Sequence, residues 1–129
     1  DTGIDALAIA FGTAHGFYEN KPKLAFDVLK EINRLTDVPL VMHGGTGVPT
    51  ESIKKSIALG INKVNIGTAL KLAYLNTIKR EISSNLESIN LTELLKEAGK
   101  SVKETVKTKI KLLGSSGKIT GFNHLHNNL

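Results

Sequence analysis

The chain has 129 residues, a formal net charge of +5, 40% apolar and 22% charged residues, and no cysteine. That length suits one domain with a real core. Disulfides and thiolate metal sites are excluded, and no apolar run approaches the ~20 residues that span a bilayer, so no membrane partner is expected.

Residues 6–11, ALAIAF, are continuously apolar, which predicts a strand buried on both faces. Residues 12–22 read as a loop. Residues 24–35 place Leu24, Val28, Leu29, Ile32 and Leu35 at helical spacing. Pro39 can start a second strand over residues 40–42. A glycine-rich loop follows, and Thr50 is a good N-cap for a helix with Glu51 in its first turn and Gly60 at its end. The third strand is expected over residues 63–66, with a helix over 69–84 after Gly67-Thr68. A last helix, residues 91–113, is expected to stop at Gly114. Residues 119–129 lack periodicity and are expected to be a flexible tail, with His124 and His126 exposed to solvent.

Alternating apolar strands and helices imply a parallel sheet, whether barrel or open sheet. In both, sites gather in the loops after the strands. Residues 91–118 carry seven lysines against three glutamates. A basic surface can attract nucleic acid. The lysines alternate with apolar residues at helical spacing, however, so a solvated helix face is the preferred reading and no nucleic-acid partner is expected.

His15 and His43 each follow a strand and each precede a glycine, and Asn65 ends the third strand. Histidines on neighbouring strand ends can converge on one zinc ion through imidazole nitrogens. The alternative for each is a hydrogen-bonded structural histidine. Two ligands do not complete a catalytic zinc site, which takes three and keeps one position open. Gly44-Gly45-Thr46-Gly47 before one helix and Gly67-Thr68 before the next offer free backbone N–H groups to an anion such as phosphate. Singly, each is as readily a plain turn. Together with the histidines they suggest a phosphorylated substrate beside a metal that polarises its carbonyl or hydroxyl.

The motifs TGIDALAIAFGTAHGFY, VPLVMHGGTGVP, IKKSIALGINKVNIGTALK and KIKLLGSSGK closely resemble the C-terminal part of class II, metal-dependent ketose-bisphosphate aldolases. The resemblance implies a (β/α)8 TIM barrel, with residues 1–118 holding about strands six to eight and their helices. It implies Zn2+ as cofactor, allows a monovalent cation beside it, and makes His15 and His43 two of three zinc ligands. Gly16 becomes a substrate-contact backbone position. Gly44, Gly45 and Thr46 become a phosphate cradle, with Asn65, Ile66, Gly67 and Thr68 as its second wall. Asn65 would meet the dihydroxyacetone-phosphate half of a ketose 1,6-bisphosphate, and Lys71 the distal phosphate. The family's proton-abstracting Asp, and the third zinc histidine directly after it, match nothing in this sequence; Asp1, Asp5, Asp27 and Asp37 do not occupy that motif.

The chain is therefore expected to be a fragment, inactive alone, of a cytoplasmic, homo-oligomeric lyase of carbohydrate metabolism and glycolysis. The alternative is a non-catalytic phosphate-binding half-barrel module. Gly67 stands where fructose-bisphosphate members often carry an acidic residue, which points to the tagatose-type branch. Glu19 replaces a basic residue of some members, with Lys21 close by.

Overall fold

The computed structural model of the chain describes residues 2–14, 16, 18, 20–84 and 86–118. His15, Glu19, His124, His126 and the 119–129 segment lie outside the described residues. The elements are β1 (Leu7–Ala8), α1 (Phe26–Leu35), β2 (Leu40–Met42), α2 (Thr50–Ala58), β3 (Ile61–Val64), α3 (Thr68–Ser84), a short 3-10 turn (Leu86–Ser88) and α4 (Leu91–Leu112). The three strands are parallel and lie in chain order, β1-β2-β3. Such an order needs a crossover between each pair of strands, and α1 and α2 supply them.

The expectation that residues 6–11 are buried on both faces needs correction. Ile9 and Phe11 are buried and Leu7 partly so, whereas Ala6, Ala8 and Ala10 are exposed. The run is apolar throughout, but the strand period of two sorts it by size. Leu7, Ile9 and Phe11 turn towards Leu29 of α1, Ile53 of α2 and the end of α4 at Leu112–Leu113, in one cluster with Leu40, Met42 and Ile61. The alanines line the opposite, open face. Regular pairing of β1 is also shorter than the apolar run. Beyond Ala8, Ile9 N–H still reaches Val41 O at 3.4 Å, and the chain then turns at Gly12, whose φ is +106°.

β3 starts at Ile61 rather than residue 63, and its register explains the difference. Leu40 pairs with Ile61, but Val41 pairs with Lys63 and Met42 with Val64. Asn62 is therefore an extra residue, a bulge. Its Oδ1 accepts the Leu40 N–H at 2.9 Å, replacing a ladder bond. Past the bulge the alternation of faces is reversed. Ile61 and Val64 both join the covered face, and Lys63 falls on the open face in one row with Ala8 and Val41.

α1 begins at Phe26, two residues later than the apolar spacing suggests, and its N-cap Ala25 is tied to the end of the first apolar run by an N–H bond to Phe11 O at 2.8 Å. Thr50 is the first helical residue of α2, with Pro49 in the cap position. Gly60 ends α2 at φ +113° as expected. α3 and α4 pack through small residues. Ala98 is fully buried, and the Ser101 hydroxyl lies 2.9 Å from Ala73 O and 2.7 Å from Ala98 O. Asn90 caps α4, its Oδ1 accepting from Thr92 and Glu93 N–H. Gly114 closes it at φ +70°, with Ser115 N–H on Ile110 O at 3.0 Å. On the outer face of α4 Lys96, Lys100 and Lys107 pair with glutamates three residues earlier, as a solvated face does. Lys100 and Lys107 hold Glu97 and Glu104 below the usual carboxylate range by direct hydrogen bonds.

Candidate active site at the C-terminal edge of the sheet

Parallel strands in register deliver their next residues to one edge. Met42 is the last buried residue of β2, and His43, one position on, is exposed at the rim. Pairing of β2 with β3 runs on past the strands. Asn65 N–H donates to Met42 O at 2.9 Å, and Gly45 N–H donates to Asn65 O at 3.0 Å. These two bonds fasten the glycine turn after β2 to the end of β3.

Between the turns lies an open cleft of about 430 Å³, lined by Gly16, His43, Gly44, Thr46, Val64, Asn65, Ile66, Gly67 and Thr68. None of these nine residues is acidic, so no carboxylate in the lining repels an anion. Every site residue expected from the sequence and described in the structure lies here, except Gly45 and Lys71. Gly45 sits one layer behind the lining. It is buried, its N–H is committed to Asn65, and a Cβ on it would stand 2.5 Å from Val64 Cγ1. Its bareness lets the two turns close on each other. Lys71 is exposed on the first turn of α3, outside the lining.

α3 starts at this cleft. Thr46 Oγ1 accepts the Ala69 N–H at 3.3 Å, so the first turn bridges to the second helix start. Leu70 and Lys71 N–H both point to Gly67 O, leaving Gly67 and Thr68 at the mouth of the helix where its dipole favours negative charge. The loop after β1 is tied in from the other side. The Tyr18 hydroxyl lies 2.7 Å from Ala14 N and 3.0 Å from Ala14 O. A Cβ on Gly47 would stand 2.6 Å from the Tyr18 ring and 2.8 Å from Gly16 O. Glycine at 47 is what lets this loop, with Gly16, close against the turn after β2.

Among the described residues no three His, Cys, Asp or Glu side chains come together. His43 supplies one imidazole to the cleft. Gly16, the sequence neighbour of His15, lines the same cleft.

Sequence reasoning missed Asn62, Lys63 and Tyr18. The signal for the bulge was present. Strict alternation from Ile61 would bury Asn65 and expose Val64, the reverse of their chemistry.

The model of the class II fructose-bisphosphate aldolase family matches residues 1–118. Among solved structures, the chain is similar to the YdjI aldolase of Escherichia coli K12, at 39% identity and TM-score 0.79 over 92% of this chain and 42% of that one. It is also similar to a Coccidioides immitis protein assigned as a fructose-1,6-biphosphate aldolase, at 31% identity and TM-score 0.83 over 91% and 40%. The fold is shared with the fructose-bisphosphate aldolase of Campylobacter jejuni, at 19% identity and TM-score 0.70 over 84% and 39%. The chain thus spans about two fifths of the length of these structures. It belongs to the class II fructose-bisphosphate aldolase family.

Proposed function

We propose that the whole protein is a zinc-dependent aldolase that cleaves a ketose 1,6-bisphosphate to dihydroxyacetone phosphate and glyceraldehyde 3-phosphate. In this reading the chain forms about strands six to eight of a (β/α)8 barrel and holds the metal-and-phosphate side of its active site. The observation that carries the proposal is the convergence of His43, Asn65 and both bare turns on one non-acidic cleft at the C-terminal edge of parallel strands.

The donor set fits zinc in part. His43 would be one ligand and His15 a second, with the third outside these residues. Zinc, when bound, supplies polarisation of the substrate carbonyl. The chain's own residues do the rest of the positioning. Backbone N–H groups at Gly44, Gly67 and Thr68, backed by the α3 dipole, take the phosphate. Asn65 donates from its side-chain amide to an oxygen of the triose-phosphate half. Abstraction of the hydroxyl proton belongs to an Asp absent from this sequence, so the 129 residues alone do not turn over. Lys71, on the first turn of α3, would approach the distal phosphate.

A Cβ at Gly67 would meet nothing within 4 Å, so packing does not demand glycine there. The glycine is thus not forced by a clash at Cβ, and the absence of an acidic residue supports the tagatose-type reading. Among the described residues no helix is long and apolar enough to cross a membrane. A homo-oligomeric cytoplasmic enzyme is the corresponding cellular reading.

The test is aldol cleavage by the intact gene product, with fructose and tagatose bisphosphates, with and without a zinc chelator. Chelator-sensitive cleavage, with tagatose bisphosphate preferred, is expected. No cleavage of either sugar by folded, zinc-supplied protein overturns the proposal and leaves a phosphate-binding module.

A further inference from the structure

The direction of the Asn65 side chain in the cleft is set by a neighbouring residue. Lys63 stands on the open face of the sheet, in register with Val41 and Ala8, and its Nζ donates to Asn65 Oδ1. A lysine ammonium has three donors and no acceptor, so only the oxygen of an asparagine amide can face it. An unconstrained amide can present either end to a ligand. Held by Lys63, Asn65 turns Nδ2 away from the lysine. The Asn62 bulge completes the device, because without the extra residue Lys63 and Asn65 would both fall on the helix-covered face.

We propose that Lys63 is a positioning residue for the cleft. It fixes the Asn65 amide so that Nδ2 is the atom offered to the ligand, which makes this wall select an oxygen acceptor, such as a hydroxyl, carbonyl or phosphate oxygen. In the aldolase reading, on which the activity arm below rests, that acceptor belongs to the phosphorylated ketose. Lys63 also adds a positive charge beside the cleft without lining it. Methionine at this position keeps much of the lysine stem and removes the donor. Arginine keeps a donor.

The experiment uses the intact gene product and has two arms. In the first, K63M lowers kcat/KM for ketose bisphosphate cleavage by at least about tenfold, K63R recovers part of it, and K63M costs nothing further in an N65A background. The urea midpoint of each variant is measured beside its kinetics, and a kinetic loss that K63R does not recover and that tracks a lowered midpoint overturns the proposal. Equal losses from K63M with and without Asn65 would overturn the proposal, since Lys63 would then act on its own. So would full activity of K63M. In the second arm, selective 15N-asparagine labelling follows the Asn65 side-chain NH2 pair, assigned by its loss in N65A. K63M is expected to shift that pair, and an unmoved pair overturns the proposal. This arm does not depend on turnover. An inactive parent protein would therefore sink the aldolase reading while the Lys63–Asn65 pairing is still decided.

Discussion

The two faces of the small sheet are made from the same strands and do different work. The covered face carries Ile9, Phe11, Leu40, Met42 and Ile61, all buried against α1, α2 and the end of α4. The open face carries Ala8, Val41 and Lys63 in one row. Just past the strand ends come His43 and Asn65, at the cleft. Within these residues most of the cohesion lies on one side, with Val41 a buried exception on the other, and the cleft opens at the edge past the strand ends. A residue's face, set by the parity of its position, thus decides whether its loss harms folding or function. The bulge at Asn62 corrects that parity in β3.

Phe11→Ala should do most damage to the covered face. Phe11 is 1% exposed, and truncating such a side chain costs roughly 3–5 kcal/mol. Urea unfolding of the intact gene product should show a lower midpoint with ligand contacts unchanged. A loss below about 1 kcal/mol would mean that the cluster repacks and the division of faces is weaker than drawn.

Asn62→Ala should have an intermediate and mixed effect. It removes the acceptor of the Leu40 N–H, at a cost of about 1–3 kcal/mol. If the bulge also aims Asn65, KM for the ketose bisphosphate should rise as well. A stability loss with unchanged kinetics would separate the bulge from the cleft.

The smallest effect belongs far from both faces. Lys107 holds the Glu104 carboxyl below its ordinary pKa of 4.5 by a hydrogen bond on the solvated face of α4. A depressed carboxylate contributes stability above its unfolded pKa and loses it as pH falls through the folded one. Glu104→Gln should therefore leave the melting temperature at neutral pH nearly unmoved, because the pair is fully exposed. It should slightly flatten the acid limb below about pH 4.5. A clear loss at neutral pH would show that this face is covered in the assembled protein.

Much of this division was legible in the sequence. Helical spacing and glycine stops located α2, α3 and α4 within a residue or two, since both signals are local. The cleft could be read because parallel strands deliver consecutive loops to one edge, so that His43, Gly44 and Asn65 through Thr68 had to be neighbours. The two-sided burial expected of residues 6–11 is met on one face within these residues, where Ala6, Ala8 and Ala10 are exposed; in the proposed barrel that second face would turn inward. β3 was misplaced because a bulge is a relation between two strands. Asn62 and Lys63 read in isolation as polar interruptions; the parity of Val64 and Asn65 hints at a bulge, and the pairing with Leu40 and Val41 places it at Asn62. Gly45 looked like an anion donor because its spacing matches its neighbours, but its N–H is committed to Asn65 O.

The most direct test of the claim that the open edge carries the chemistry is zinc content. Bound zinc per chain should be measured in the intact gene product and its His43→Ala variant after dialysis against a weak chelator. His43 is exposed at the rim, so the metal-free forms of the variant and its parent should share one urea midpoint. About one zinc per parent chain is expected, with at least tenfold weaker retention in the variant, the roughly 10–100-fold or larger loss that disturbing a metal site brings. Equal zinc in both proteins, or none in the parent, would contradict it.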